Sequence, residues 1–317
     1  MLAGVTTMEH IESYVPERTI SVAELADRLA LKPANVKVLT KLQGLRRLRF
    51  DPQMSLFELV LPAARRAVAA QPPGTTIRYV IFVHATQAVT PPNVDAAQTI
   101  KGALGLHQAE AFGLSQQNCA VAVTAVDVAG ELLRADGDPA ARALIVSGEK
   151  AFTPELQLVR DTTIFGEGAA ACVVAVGGSG DPVLSFAQRT LGRYAGGMRM
   201  DRALAPELGE LYTPMLAGAI TGAIAKAGLE LADIDLILPH NVNAKSWWEV
   251  AKELGIDRKR VFLDNVPRYS HCYTSDLFIN YATARDSGRL VPGHHYVMAA
   301  VGVGTTFAAL VFMHRGR

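Results

Sequence analysis

The amino-acid sequence predicts a duplicated α/β fold. Buried apolar strands alternate with helical segments, the order of these elements in the first half of the chain recurs in the second, and a Gly-rich turn closes each half. The 317 residues, half of them hydrophobic, are enough for one large domain or for two fused halves. The Gly-Gly-Ser-Gly run at 177–180 marks a boundary, so the predicted halves are 1–176 and 177–317.

The first half opens with a short strand-like piece, which two helices and then the buried strands follow. Ser21 and Glu24 form a capping box, which predicts a helix through Leu29. A second helix is predicted from about 55 to 70, where apolar residues recur at helical spacing. Residues 78–84 read as a buried parallel strand because both of its faces are apolar. The remaining elements of this half are a helix around 94–104, a helix after Cys119, a strand at 142–147, and a Gly-rich turn entering a strand at 165–176.

The second half repeats this order at similar spacing. It contains a strand at 235–240, a helix around 245–254, a helix beginning at His271, a strand at 295–301, and a Gly-rich turn and strand at 302–312. The first strand of this series ends in His240, as the strand at 78–84 ends in His84. The repetition predicts that Cys119 and His271 occupy equivalent helix starts on either side of a pseudo-two-fold axis. His240 then lies at the carboxyl end of a strand, where open α/β sheets place their sites.

Composition excludes several classes of function. Lys+Arg and Asp+Glu number 31 and 30, so we expect neither nucleic acid nor a membrane as a partner. Three cysteines, at 119, 172 and 272, are too few and too scattered for a disulfide framework or a zinc site. No apolar run reaches the roughly 18 residues of a membrane span. We therefore expect a cytoplasmic protein without a bound metal.

Cys119 is the candidate nucleophile. It stands between a polar, turn-prone run and a buried helix, where unpaired backbone N–H groups and the helix dipole stabilise a thiolate. The alternative is an inert core cysteine, since free cysteine is among the most buried residue types. The histidines predicted nearby favour catalysis, because an activated nucleophile needs an oriented base.

Several short motifs resemble the thiolase superfamily, and within it the β-ketoacyl-acyl-carrier-protein synthase III branch, over nearly the whole chain. They are Cys119 at a helix start, Phe165-Gly-Glu-Gly-Ala169, Leu238-Pro-His-Asn-Val-Asn243, Gly288-Arg-Leu-Val-Pro-Gly293 and Gly302-Val-Gly304. The resemblance implies a five-layered α/β/α/β/α fold, a homodimer, and an acyl group carried as a thioester on Cys119. It also makes the backbone N–H groups of Cys119 and Gly304 candidates for an oxyanion hole. Glu167 is expected to fix its turn.

The chain departs from these synthases at their catalytic asparagine. Where they have a Gly-Asn-Thr-Ser-Ala-Ala-Ser run, this chain has Ser270-His-Cys-Tyr-Thr-Ser-Asp276, so His271 takes the place of the asparagine. A histidine adds a base, and Asp276 follows closely enough to orient it. We therefore expect Cys119 as nucleophile, His271 as base and Asp276 as the orienting carboxylate. The alternative for Asp276 is a carboxylate that only stabilises the first turn of a helix.

The His and following Asp resemble those of offshoots of the family that transfer acyl groups from a carrier to a hydroxyl or amine, or that select starter acyl units. We therefore expect an acyltransferase, in biosynthesis of the polyketide type. His240 together with His271 also resembles the Cys-His-His site of chain-elongating synthases, so decarboxylative condensation is an alternative. A non-catalytic subunit of a synthase heterodimer is another. His240 is either part of the site or a structural histidine beside Asn243, which we expect to shape the site.

The substrate is expected to be an acyl thioester on the phosphopantetheine of a carrier protein or of coenzyme A, and no cofactor is expected. Synthases that use coenzyme A resemble one another in a Trp and an Arg near a Thr-Arg-Thr-Gly run. The corresponding run here, Thr40-Lys-Leu-Gln-Gly44, has Leu42 at the Arg position and no Trp nearby. This favours an acidic acyl carrier protein docking on Arg46, Arg47 and Arg49, although a solvated loop is the alternative for this cluster. The identity of the small-molecule acceptor is not predicted.

Overall fold

The computed structural model describes residues 4–159 and 161–316, so residues 1–3, 160 and 317 of the two predicted halves lie outside it. The strands are β1 (Thr6–Tyr14), β2 (Thr19–Ser21), β3 (Arg47–Arg49), β4 (Thr76–Val83), β5 (Glu110–Leu114), β6 (Ala141–Gly148), β7 (Leu158–Val159), β8 (Thr163–Ile164), β9 (Ala169–Val176), β10 (Asp181–Thr190), β11 (Ile234–Pro239), β12 (His295–Gly302) and β13 (Thr306–Met313). The α-helices are α1 (Pro33–Lys37), α2 (Leu56–Ala69), α3 (Ala96–Ala103), α4 (Val121–Asp136), α5 (Pro154–Gln157), α6 (Ala205–Lys226), α7 (Ala244–Glu253), α8 (Val266–Tyr269) and α9 (Asp276–Asp286).

Nine of these strands form one mixed sheet in the order β11-β12-β13-β10-β1-β9-β6-β4-β5. In one group, β4 runs parallel to β5 and β6, and β9 runs antiparallel to β6 and β1. In the other group, β12 runs parallel to β11 and antiparallel to β13, which pairs with β10. The groups join where β1 pairs with β10 at Thr7 and Met8. Because the sheet continues across residue 176, the division into two domains there stays a prediction.

The helices complete five layers. α2 and α3 pack on the outer face of the β1–β9 group, and α6 and α7 pack on the outer face of the β10–β13 group. Between the two groups lie α4 and α9, whose side chains share one apolar cluster with the inner faces of both. Val126 of α4 and Phe278 of α9 are buried in this cluster. This is the predicted α/β/α/β/α arrangement, and the predicted fold class is confirmed.

The small residues of α4 allow this central layer to be thin. Gly130 lies against Thr6 of β1, where a Cβ atom would be only 3.0 Å from the Thr6 methyl carbon. Only glycine therefore lets the helix approach the strand this closely. α9 is buried on nearly all sides, and its polar Asn280 is bonded to the Pro239 carbonyl and to the Asn241 and Asn265 side chains.

The predicted helix at 21–29 is wrong. Ser21 and Glu24 do form the two hydrogen bonds of a capping box, but turns follow them up to Ala30, which has a φ of 48°. The Val22 N–H donates to the carbonyl of Arg46, so the segment is tied to the chain beside β3 at its first residue. Such a short segment gains little from continuing as a helix on its own.

Among the described residues, no helix has both the length and the apolar character needed to cross a bilayer.

Candidate active site

Cys119 lies in a tight turn at the start of the central helix α4. The turn is a 3-10 helix spanning Asn118–Ala120, and both Gln116 and Asn118 have positive φ angles. The cysteine is 7% exposed and lines a cavity of about 610 Å³. A cavity of this size fits a small-molecule substrate.

His271 lies beside Cys119 and is hydrogen-bonded to a carboxylate. Its Nδ1 is 2.5 Å from Oδ2 of Asp276, so Nε2 is the ring nitrogen available to Cys119, which lines the same cavity. The backbone of His271 is tied to the turn at 164–166, where its carbonyl accepts from the Gly166 N–H at 2.9 Å. The structure therefore brings Cys119, His271 and Asp276 together.

The two helix starts are not equivalent, contrary to the prediction. Cys119 directly precedes α4, whereas α9 begins at Asp276 and His271 lies before that helix, bridged to Phe165. The reason is that the segment at 270–273 is held by the turn at 164–166, and the positive φ angles at Ser270 and Tyr273 keep the α-helix from beginning before Asp276.

Asp276 is surrounded by hydrogen-bond donors. Its Oδ1 accepts from the Cys272 N–H at 2.8 Å and from the Asn241 side chain at 3.2 Å, and its Oδ2 accepts from the Asn241 N–H at 2.6 Å. With His271, four donors surround a carboxylate that is fully buried. Asp276 is thus both the first residue of a helix and the partner of His271. Asn241 was not identified from the sequence, although its place directly after a buried strand was a usable signal.

The charges around His271 favour its protonated form. Burial is the largest single influence and would lower its pKa, but the charges of Cys119 and Asp276 and their hydrogen bonds together raise the pKa of His271 to about 10. A protonated imidazole at this place can give up a proton to a leaving group.

His240 is a neutral histidine in the same cavity wall. It follows β11, and its ring centroid is 5.6 Å from that of His271. Burial, and then the charge of His271, holds the pKa of His240 well below its usual value. Its Nε2 is 3.3 Å from the Tyr212 hydroxyl, and its Nδ1 has no hydrogen-bond partner within the described part of the chain. Its carbonyl accepts from the indole N–H of Trp247, which packs beneath the strand.

The two residues expected to shape the site differ in what they do. Asn243 caps α7 by accepting from the Ser246 N–H at 2.7 Å, and it donates to the Thr162 carbonyl at 3.2 Å. Because Ser246 and Thr162 both line the cavity, Asn243 fixes two parts of its wall. The N–H of Gly304 instead donates to the Thr305 hydroxyl at 3.0 Å.

The three arginines of the predicted docking cluster are not alike. Arg46 and Arg47 are exposed. Arg49 donates to the carbonyls of Pro16 and Glu17, at 3.1 and 2.7 Å, so its guanidinium is already engaged within the protein. None of the three is among the described residues that line the cavity.

Two buried glutamates support the turns around the site. Glu167 is paired with Lys150 at 2.7 Å and accepts from the Asp51 N–H, so it holds its turn in place. Glu149 was not identified from the sequence. It follows β6 and accepts from the N–H groups of Ala85 and Thr86, in the loop that packs beside Cys119. Burial raises the pKa of Glu149.

Another part of the cavity wall comes from α6, which the sequence patterns did not predict. This helix contributes Leu208 and Tyr212, and the turn before it contributes Met200. Together with Val159 and Phe165 they make much of the lining apolar.

Comparison with known proteins agrees with this fold. Residues 224–314 match the family model of the 3-oxoacyl-[acyl-carrier-protein] synthase III C-terminal region. The chain is 28% identical to a β-ketoacyl-[acyl-carrier-protein] synthase III of Acidiphilium cryptum over 96% of its own length and 98% of the relative. It is also 28% identical to that of Rhizorhabdus wittichii, over 94% and 95%.

Solved structures with the same fold come from proteins with several descriptions. ChlB3, described as an acyltransferase, has a TM-score of 0.85 at 18% identity over 98% of each chain. The 3-oxoacyl-(acyl carrier protein) synthase III of Pseudomonas aeruginosa PAO1 has a TM-score of 0.80 at 21% identity, again over 98% of each chain. A variant of OleA from Xanthomonas campestris has a TM-score of 0.80 at 20% identity over 99% of each. The chain is therefore similar over nearly its whole length to β-ketoacyl-[acyl-carrier-protein] synthase III proteins, and it has their fold.

Proposed function

We propose that the protein is an acyltransferase that loads an acyl group from a thioester onto Cys119 and passes it to a hydroxyl or amine. The observation that carries this proposal is the 2.5 Å contact between His271 Nδ1 and Asp276. A histidine anchored in this way presents its other nitrogen as a base, which an asparagine at the same place cannot do.

The loading step uses the protonated His271. The Cys119 sulfur attacks the thioester carbonyl carbon, the carbonyl electron pair moves to oxygen, and collapse of this intermediate expels the donor thiol, which takes the proton from His271. The acyl group is then bonded to sulfur.

The transfer step uses the same histidine in its neutral form. Acylation removes the charge on Cys119 that raises the pKa of His271, so the ring is ready to accept a proton. The acceptor oxygen or nitrogen attacks the acyl carbon, its proton moves to Nε2 of His271, and the sulfur leaves with the electron pair. Asp276 keeps the ring oriented in both steps, and no cofactor is required.

The donor is best accounted for by a carrier protein. The exposed Arg46 and Arg47 offer positive charge to an acidic partner, and Leu42 occupies the place at which coenzyme A users are expected to have an arginine. A homodimer is part of the same proposal. The alternative acyl donor, to be compared with a carrier protein, is coenzyme A.

Decarboxylative condensation is a second candidate, because His240 and His271 lie edge to face in the same wall. Two neighbouring imidazoles can hold the oxygen of an enolate formed from a malonyl thioester. This candidate requires release of carbon dioxide from a malonyl donor, whereas acyl transfer requires none.

Intact-protein mass spectrometry tests the proposal. Acyl thioesters of a carrier protein and of coenzyme A should add one acyl group to the wild type and none to Cys119→Ala. Cys172→Ala is the matched control, since Cys172 is buried in β9 away from the cavity, and it should be acylated normally. Addition of an alcohol or amine should then remove the acyl group from the wild type but not from His271→Ala.

Two results would contradict acyl transfer. Carbon dioxide release from a malonyl thioester, with formation of a carbon–carbon bond, would support condensation. Failure of every donor to form an adduct would support a non-catalytic subunit of a synthase heterodimer.

A further inference from the structure

We propose that Tyr212 is a further catalytic residue, whose hydroxyl donates a hydrogen bond to the thioester carbonyl oxygen as negative charge develops on it. The inference rests on the proposed function in one respect, namely that the Cys119 sulfur attacks the carbonyl carbon.

Tyr212 is in the right place for this role. It lies in the N-terminal half of α6 and lines the same cavity as Cys119, His240 and His271. Its ring packs edge-on against Phe307 of β13, with the centroids 6.1 Å apart. The hydroxyl is 3.3 Å from Nε2 of His240.

The hydrogen bonds of His240 indicate which group donates in its contact with Tyr212. Nδ1 of His240 has no partner among the described residues, and the ring is 2% exposed. A buried N–H without an acceptor is rarer than a buried lone pair without a donor, so the proton belongs on Nε2. Nε2–H then donates to the Tyr212 oxygen, and the hydroxyl hydrogen of Tyr212 is free to turn toward a substrate.

A chain of this kind strengthens its last donor. When His240 donates to the phenol oxygen, it polarises the O–H bond of Tyr212. Burial, and then the charge of Cys119, raises the pKa of Tyr212, so the phenol keeps its proton throughout the working pH range. It is therefore a hydrogen-bond donor and not a base.

The site has need of such a donor. Of the two backbone N–H groups expected to form an oxyanion hole, that of Gly304 donates to the Thr305 hydroxyl. With one remaining backbone donor, the developing oxyanion lacks the second hydrogen bond that stabilises it in acyl transfer. Tyr212 supplies the second donor from a side chain.

The role can be stated as a balanced step. As the Cys119 sulfur forms its bond to the carbonyl carbon, the carbonyl electron pair moves to oxygen, and that oxygen accepts the hydrogen bond from Tyr212. When the carbonyl forms again, the donor thiol leaves with the proton from His271. Tyr212 keeps its own proton and is unchanged.

The test compares two tyrosine-to-phenylalanine variants. Tyr212→Phe removes only the hydroxyl in question. Tyr194→Phe is the matched control, because the Tyr194 hydroxyl donates to Glu207 in the first turn of the same helix at 2.7 Å and lies outside the lining of the cavity. Each protein is treated with a pantetheine thioester, with p-nitrophenyl acetate and with iodoacetamide, and modification of Cys119 is followed by mass. Iodoacetamide alkylation forms no oxyanion.

We expect Tyr212→Phe to slow acylation by the thioester and by the ester about 100-fold, the size of effect seen when one oxyanion donor is removed. Alkylation should keep its wild-type rate, and Tyr194→Phe should resemble the wild type with all three reagents. Equal slowing of acylation and alkylation, or no slowing of either, would overturn the proposal.

The two esters separate this inference from the proposed function. If the thioester fails to acylate the wild type while the p-nitrophenyl ester succeeds and depends on Tyr212, the acyltransferase function is refuted and the role of Tyr212 stands. If neither ester acylates Cys119, both are refuted.

Discussion

Replacement of Gly302 by alanine should displace Cys119, the proposed nucleophile, without contacting it. Gly302 ends β12 and faces the carbonyl of Gln117, two residues before Cys119. A Cβ on Gly302 would overlap that carbonyl oxygen, lie 2.7 Å from its carbon, and lie 3.2 Å from Cβ of Asn118. Because the overlapping oxygen must move out to at least about 3 Å from the new Cβ, the two segments must separate by more than about 1 Å.

The turn carrying Cys119 should be the part that moves. β12 is held on both sides, by β11 and β13, whereas the turn before α4 is not part of a sheet. A misplacement of about 1 Å can cost about 100-fold in rate, since the reacting atoms leave their productive geometry. We expect Gly302→Ala to be acylated about 100-fold more slowly and to lose about 1–3 kcal/mol of stability through overpacking.

Acylation by a thioester, followed by intact mass, together with urea unfolding measures both effects. Gly218→Ala is the control, because this glycine lies at an exposed position of α6 where no described atom would be within 4 Å of a new Cβ. It should be acylated normally and be stabilised by up to about 1 kcal/mol. Acylation of Gly302→Ala at the wild-type rate would refute the view that β12 fixes the position of Cys119.

Three further predictions concern charge and capping. Asp276→Asn places an amide NH₂ against N–H donors and removes one partner of a buried ion pair, so we expect a loss of about 3–5 kcal/mol in urea unfolding, and unchanged stability would contradict this. The pKa of His271 is raised from 6.5 to about 10, so its contribution to stability is complete below pH 6.5 and is lost as the pH rises through about 10. The Tm should therefore fall over that range in the wild type and fall less in His271→Asn, and parallel curves would argue against it. Ser55→Ala removes the acceptor for the Glu58 N–H at the start of α2 and should cost about 1 kcal/mol, whereas a Tm equal to that of the wild type would show that this cap is dispensable.

The parts of the fold that could be predicted are those with a local pattern. β4 and β6 are continuous apolar runs, and α2 has apolar residues on one face behind a capping box. α6 has a weaker pattern, because Pro214 and three glycines lie inside it. It forms because Leu216, Ile220 and Ile224 pack on the outer face of the β10–β13 group, and packing of this kind is not visible in the local sequence.

The same distinction applies to the site. Cys119, His240, His271 and Asp276 stand at the ends of elements that have clear patterns, so they could be named from the sequence. Tyr212 reaches the cavity only because α6 exists, and it could not be named. Asn241 contacts Asp276 across a long stretch of chain, and such pairings follow from how the strands and helices assemble.

The burial of His271 and Asp276 allows the chemical step to be separated experimentally from the arrival of the substrate. Their side chains are only 3% and 1% exposed. Dissolved ions screen buried pairs much less than exposed ones, so the strength of this pair should hardly change with salt. A small acyl donor without charge should therefore react at nearly the same rate in dilute and concentrated salt. A rate that falls with salt only when the donor is a carrier protein would then measure its encounter with exposed arginines, and ionic strength becomes a way to distinguish the arrival of the substrate from its reaction.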